Sequence, residues 1–131
     1  MGPAMFTHVR VGSSDPRASI AFYDATFAAL GISGQHHEAT HAMYGTHDSG
    51  MFMVGPPADG EAATHANGGT IGLAAPSAEA VHAWHAAGLA NGGTCEGPPG
   101  PRDYGEMPMV GAYLRDPAGN KLCAFWVDLG E

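Results

Sequence analysis

The stretch Leu114-Arg115-Asp116-Pro117-Ala118-Gly119-Asn120-Lys121-Leu122-Cys123-Ala124-Phe125 predicts a β-hairpin near the end of the chain. Asp-Pro favours a turn because proline presets φ, and Gly-Asn closes it because both residues tolerate a positive φ. Apolar, β-prone residues flank the turn on both sides. We therefore expect two paired strands here, at 109–114 and 121–127.

A strand followed by a helix occurs twice in the sequence. The first copy has a strand over 6–11, and Asp15-Pro16 then predicts a helix start because aspartate caps a helix and proline suits its first turn. The second copy has a strand over 69–73, with Ser77 as the helix cap. An offset of 62 (70 − 8) aligns the two copies, pairing His8 with Thr70, Asp15 with Ser77, Phe22 with Trp84 and Gly31 with Gly93.

Three further strands are predicted after each helix, at 32–38, 41–46 and 51–54 and at 94–96, 109–114 and 121–127, with a loop over 97–106. A unit of roughly 60 residues is too small to cover both faces of its own sheet. We expect one α+β domain of two paired βαβββ modules, 5–57 and 58–131, forming a half-open mixed-sheet cleft with the helices outside. Residues 1–4 are interpreted as a vector-derived leader and left out of the fold.

The bulk composition excludes several classes of partner. The chain has 131 residues and a formal net charge of −8, whereas nucleic acids and anionic membranes require a basic face. The same charge favours a neutral or cationic ligand. Cys95 and Cys123 are too few for a disulfide scaffold, and the lack of a signal peptide or a long apolar run predicts a cytoplasmic protein.

The closing hairpin, the strand Thr7-His8-Val9-Arg10-Val11 and the strand Gly69-Thr70-Ile71-Gly72-Leu73 resemble the glyoxalase/bleomycin resistance protein/extradiol dioxygenase (vicinal oxygen chelate) superfamily. The resemblance spans nearly the whole chain. It implies paired βαβββ modules, a homodimer and a cleft that holds a small molecule. In the metal-dependent members, His or Glu side chains at four inward-facing strand positions hold a divalent cation.

Those four positions correspond here to His8, Phe52, Thr70 and Cys123. Only His8 is a standard ligand, and Cys123 is a second metal candidate because a thiolate binds softer metals. The resemblance therefore implies no cofactor as the first expectation and a divalent metal as the second. The histidines at 36, 37, 41 and 47 are interpreted as an exposed cluster on a hairpin.

The expected ligand cleft combines these positions with neighbouring strand and loop residues: His8, Phe52, Met53, Thr70, Arg102, Tyr104, Tyr113 and Cys123. Tyr104 and Glu106 are the candidates for proton transfer, since they lie in a loop expected at the cleft mouth. The first hypothesis is a metal-independent protein that binds a small organic molecule. The second is a metal-dependent lyase or dioxygenase-like enzyme with an altered ligand set, and the third is a structural or regulatory dimer without a ligand.

Overall fold

The two halves of the chain have the same order of elements in the computed structural model, which describes residues 5–102 and 108–128 without the side chains at 36–38. The first module contains β1 (His8–Gly12), α1 (Pro16–Ala29), β2 (Gly34–Glu38), β3 (His41–Thr46) and β4 (Gly50–Gly55). The second contains β5 (Ile71–Ala74), α2 (Ala78–Ala90), β6 (Thr94–Pro101), β7 (Met109–Arg115) and β8 (Lys121–Val127). The predicted α+β fold of two βαβββ modules is confirmed. Neither described helix has the length and apolar character needed to span a bilayer.

Each module forms a four-stranded mixed sheet. The strand orders are β1-β4-β3-β2 and β5-β8-β7-β6, so equivalent strands occupy equivalent places. The pairs β1–β4 and β5–β8 are parallel, because a helix lies in the chain between the two strands, whereas the remaining neighbours are antiparallel.

Local capping chemistry sets the helix ends. The side chain of Asp15 accepts a hydrogen bond from the Ala18 backbone N–H, and Ser77 does the same for Ala80. Gly31 and Gly92 follow the helices with φ of 78° and 93°, a left-handed conformation that glycine adopts easily. The sequence alignment paired Gly31 with Gly93, which is wrong by one residue because α2 is one residue shorter than α1.

The prediction of a loop beginning at Gly97 is also wrong, since β6 continues to Pro101. This strand lies at the edge of its sheet, where a proline needs no N–H donor for a further neighbour. Its pairing with β7 is irregular, with register shifts between Cys95 and Gly97 and between Gly97 and Gly100. Such irregular edge strands accommodate prolines that a central strand would not.

The two helices pack against each other as well as against their own sheets. Gly88 of α2 makes this close approach possible, because a Cβ there would lie 2.4 Å from Leu114 Cδ1 and 3.2 Å from a ring atom of Phe22. One buried cluster includes side chains of both helices and of both sheets. Each sheet therefore turns one face towards the helices, and we call the opposite face its outer face.

The buried carboxylate of Asp116 connects the closing hairpin to the first module. It accepts hydrogen bonds from the backbone N–H groups of Ala118 and Asn120, the Asn120 side chain and the Tyr23 hydroxyl. The Asn120 amide also donates to the carbonyl of Gly12 at the end of β1. Burial, followed by the nearby Asp116 carboxylate, raises the pKa of Tyr23 well above its ordinary value, so its hydroxyl remains a donor. The hairpin turn and the contact between modules thus share one acceptor.

Replacing Asp116 by Ala should lower the free energy of unfolding by about 3 kcal/mol, because several buried donors lose their acceptor together. Tyr23→Phe should cost about 2 kcal/mol, the typical contribution of one hydrogen bond to a charged group. Urea unfolding measures both, and Asp48→Asn on the exposed β3–β4 turn is the matched control, expected within about 0.5 kcal/mol of the wild type. Additive effects of the two substitutions in the double variant would contradict a shared network.

Candidate functional site

The outer faces of the two sheets carry most of the predicted site residues. On β1 and β4, Val9, Val11, Phe52 and Val54 belong to the helix side, so the alternate positions face outward. The outward set of the first sheet is His8, Arg10, His41, Met43, Met51 and Met53. The outward set of the second sheet is Gly72, Gly97, Gly111, Tyr113, Arg115, Lys121, Cys123 and Phe125.

Phe52 does not share an outer face with His8 and Met53. Its ring is buried against α1, with centroids 4.8 Å from Tyr23 and 5.2 Å from Phe27. The residue of β4 that pairs with His8 is Met51, one position away. Because side chains alternate along a strand, this one-residue difference moves the predicted cleft position from the core to the outer face.

The outer face of the second sheet is built from aromatic rings over glycines. Tyr113 and Phe125 contact edge to face, with centroids 5.8 Å apart and planes at 84°. Gly111 lies directly under the ring of Phe125, because a Cβ there would be 2.5 Å from Cζ. The Lys121 ammonium lies 5.4 Å from the centre of the Tyr113 ring, within cation–π range.

Arg102 joins this surface from the end of β6. Its guanidinium donates to the carbonyls of Pro98 and Pro101, at 2.7 and 3.0 Å. A Cβ at Gly97 would be 3.4 Å from Arg102 Nη2 and 3.2 Å from Tyr113 Cδ1, so both side chains flank this glycine. Arg102, Tyr113 and Cys123 are therefore brought to one surface, whereas Tyr104 and Glu106 lie outside the described residues.

Cys123 has the properties of a buried neutral thiol. It is 8% exposed, and its sulfur lies close to Gly72, where a Cβ would approach to 3.4 Å. Burial raises the pKa of this thiol, and the nearby Lys121 opposes that change only in part. The burial of this side chain therefore disfavours the thiolate, which is the form that coordinates a metal ion.

The residues at the four family positions do not fit a metal centre. His8 is exposed, its Nδ1 lies 3.0 Å from Thr7 Oγ1, and its β4 partner is Met51. Thr70 is exposed before β5, and Cys123 is buried. In the described ranges, no three His, Cys, Asp or Glu side chains lie close enough together to hold a metal ion. The four family positions therefore lack the set of oxygen and imidazole donors that hard and borderline cations prefer.

The histidines of the first module do not all occupy one surface. His41 lies on the outer face, beside the Arg10 guanidinium at Gly55. His47 is exposed in the β3–β4 turn, and the side chains at 36 and 37 lie outside the description. The predicted exposed cluster is therefore described only in part.

The sequence reading did not identify the contact between His85 and Cys95. His85 of α2 is 8% exposed, and its Nε2 lies 3.2 Å from the Cys95 sulfur on the edge strand β6. Burial and the neighbouring His82 lower the pKa of His85, which favours the neutral imidazole. Ten residues separate the pair in sequence and they belong to different elements, so no local pattern indicated the contact.

Two of the cavities where the modules meet are lined by predicted site residues. One, of about 510 Å³, is mainly apolar and its lining includes Val9, Phe27, Ile32, Ile71 and Leu73. The other, of about 250 Å³, lies between the end of β1, the linker before β5 and the start of β8. Its lining includes Arg10, His65, Thr70 and Lys121, so it is the more polar of the two. Thr70 lines both cavities.

Comparison with known proteins identifies the family. The sequence model of the Glyoxalase/Bleomycin resistance protein/Dioxygenase superfamily matches residues 5–124. The crystal structure of a glyoxalase/bleomycin resistance protein from Albidiferax ferrireducens T118 is 48% identical, covers 94% of this chain and 99% of its own, and superimposes with a TM-score of 0.87. No curated protein matches significantly.

More distant structures share the fold alone. A lactoylglutathione lyase from Agrobacterium tumefaciens is 19% identical over 95% of each chain, with a TM-score of 0.64. A glyoxalase/bleomycin resistance protein/dioxygenase family enzyme from Burkholderia phytofirmans PsJN is 18% identical, covers 92% of this chain and 97% of its own, and has a TM-score of 0.69. With its paired βαβββ modules and a family match over nearly its whole length, this chain belongs to the glyoxalase/bleomycin resistance protein/dioxygenase superfamily.

Proposed function

We propose that this protein binds a small organic molecule on the outer faces of its sheets, without the metal centre of its metal-dependent relatives. The observation that carries the proposal is the surface around Tyr113 and Phe125, where aromatic rings stand beside glycines at 72, 97 and 111. Small-molecule sites are typically concave and apolar, with a few polar groups that orient the ligand. The surface around Tyr113 and Phe125 is also mainly apolar, and Lys121 and Arg102 are the polar groups beside it.

The glycines matter because they remove side chains from the middle of a sheet. Gly111 and Gly97 have no side chains, and the rings of Phe125 and Tyr113 occupy part of the space above them. Each ring therefore lies close to the sheet and can offer its face or its edge to a ligand. Gly72 similarly leaves room for the buried Cys123 sulfur, which a Cβ at position 72 would approach to 3.4 Å. A planar apolar ligand stacking here would bury aromatic surface, which stabilises a complex in proportion to the area removed from water.

The opposing wall of the cleft is proposed to come from a second copy of the chain. The outer face of the first sheet has half-buried methionines at 43, 51 and 53 that no described element covers. Methionine side chains suit a surface that must adapt to a ligand or partner. β1 and β5 are also edge strands, and each pairs only with β4 or β8 among the described strands. A twofold-symmetric homodimer would use both features.

Aromatic ligands should raise the melting temperature of the wild-type protein in a screen of drug-like compounds. A ligand at one hundred times its Kd adds about 2.7 kcal/mol to the free energy of unfolding, which is readily detected by differential scanning fluorimetry. Tyr113→Leu should weaken hits by about fivefold, because an aromatic contact contributes about 1 kcal/mol. Leu89→Ala on the exposed part of α2 is the control and should leave affinity unchanged. A uniformly flat screen would count against the proposal.

Protein purified without an affinity tag should take up no stoichiometric Mn²⁺, Co²⁺, Ni²⁺ or Zn²⁺ at micromolar concentrations, because the donors at the four family positions do not fit a metal. Isothermal titration and elemental analysis measure uptake directly, and His8→Ala should behave like the wild type. One equivalent of metal per chain that His8→Ala abolishes would instead support the metal-dependent lyase or dioxygenase-like enzyme.

The proposed dimer predicts that charge on the outer face of the first sheet prevents association. Met43→Glu should shift sedimentation from dimer to monomer at micromolar concentration, since a buried carboxylate is costly and its strand neighbours Gln35 and Met53 cannot form an ion pair with it. Met5→Glu, at a position that is 86% exposed, is the matched control and should sediment like the wild type. A monomeric wild-type protein would contradict the dimer but not ligand binding by the second sheet.

A further inference from the structure

We infer that the ligand is an organic anion whose oxyanion group binds in the 250 Å³ pocket at the module junction, next to the aromatic surface of the second sheet. This inference rests on the proposed function and specifies its ligand class. The acidic composition favoured a neutral or cationic ligand. The placement of the basic side chains favours the opposite charge.

The few cations of this chain are concentrated near the outer faces. Of its five lysine and arginine residues, only Arg17 lies on a helix, whereas the other four lie on outer-face strand positions or beside them: Arg10, Arg102, Arg115 and Lys121. Arg115 forms an ion pair with Glu96, with 3.0 Å between Nε and Oε1. Arg102 donates to two backbone carbonyls. Arg10 and Lys121 have no ion pair with a carboxylate within the described residues.

These two cations come from different modules and line the same pocket. Arg10 stands on β1, and its Nη2 donates to the Pro56 carbonyl at 2.8 Å, which holds the guanidinium near the linker. Lys121 begins β8 on the other side of the module boundary. His65 and Thr70 add a ring nitrogen and a hydroxyl, and no Asp or Glu is among the described lining residues. Two cations with hydroxyl and ring donors form a suitable environment for a carboxylate or phosphate group.

The linker between β4 and β5 has an unusual backbone conformation where it lines this pocket. Ala66 has a φ of 47°, a left-handed conformation that a non-glycine residue seldom adopts and that often accompanies a binding site. Its N–H donates to Thr64 Oγ1 and its carbonyl accepts from Gly69, which closes a tight turn. The Ala63 N–H also donates to Ser14 Oγ at 2.7 Å, fixing the linker to the turn after β1. These contacts fix the shape of a non-helical segment that lines the pocket.

Lys121 connects the pocket to the aromatic surface. Its ammonium lies 5.4 Å from the Tyr113 ring centre, and Tyr113 pairs with Cys123 on the next strand. A ligand with its anionic group beside Arg10 and Lys121 therefore has its apolar part directed over Tyr113. The geometry points to an aromatic carboxylate or aryl phosphate rather than to a neutral or cationic compound.

The test compares charged probes with their neutral counterparts: benzoate with benzamide, phenyl phosphate with phenol, and inorganic phosphate alone. At low ionic strength the anions should bind the wild-type protein at least about tenfold more tightly than their neutral counterparts, as expected for charge-assisted contacts. Arg10→Gln and Lys121→Gln should each abolish that difference, and Lys121→Arg should retain it. Arg17→Gln on α1 is the matched control and should bind like the wild type.

The outcomes separate this inference from the proposed function. Neutral and anionic probes that bind equally would overturn the inference and leave small-molecule binding intact. Inorganic phosphate that binds through Arg10 and Lys121, with no organic probe bound, would support the pocket and contradict the proposed function. If no anion binds, or if anion binding is unchanged in Arg10→Gln and Lys121→Gln, the inference is wrong.

Discussion

The buried carboxylate of Asp116 is the constraint on which the arrangement of the two modules depends. An ionised carboxylate withdrawn from water is tolerated only when hydrogen bonds replace its hydration. Here the donors come from the hairpin itself, from Asn120 and from Tyr23 of the first helix. Satisfying one charge therefore fixes the turn, orients β8 and holds α1 against the second module. The Asn120 bond to Gly12 extends the same network to the end of β1.

This connection also determines where chemistry is available. Because the helix-facing sides of both sheets form a common core, polar and aromatic groups for recognition remain on the outer faces. The junction fixed by Asn120 places the end of β1 beside the start of β8, and so brings Arg10 and Lys121 to one pocket. A chain of net negative charge thereby has two of its few basic residues lining one pocket where its modules meet. Local charge distribution, rather than net charge, decides which ligand is attracted at short range.

Features set by neighbouring residues could be predicted from the sequence. The hairpin turn and the Asp15 and Ser77 caps depend on hydrogen bonds within a few residues, and all three occur as expected. The placement of Phe52 on the same sheet face as His8 depended on strand register, where a shift of one residue exchanges the two faces. The extension of β6 through Pro101 depended on its edge position. The Arg10–Lys121 pocket depends on packing between modules, and no local pattern could indicate it.

The central claim is that an organic anion binds where the module junction meets the aromatic surface of the second sheet. Chemical-shift mapping of ¹⁵N-labelled protein titrated with phenyl phosphate tests this location most directly. The account predicts concentration-dependent shifts confined mainly to Arg10, the linker around Ala66, and the paired segments Gly111–Tyr113 and Lys121–Phe125. Shifts centred instead on α2, on the β3–β4 turn, or distributed evenly over the surface would contradict it.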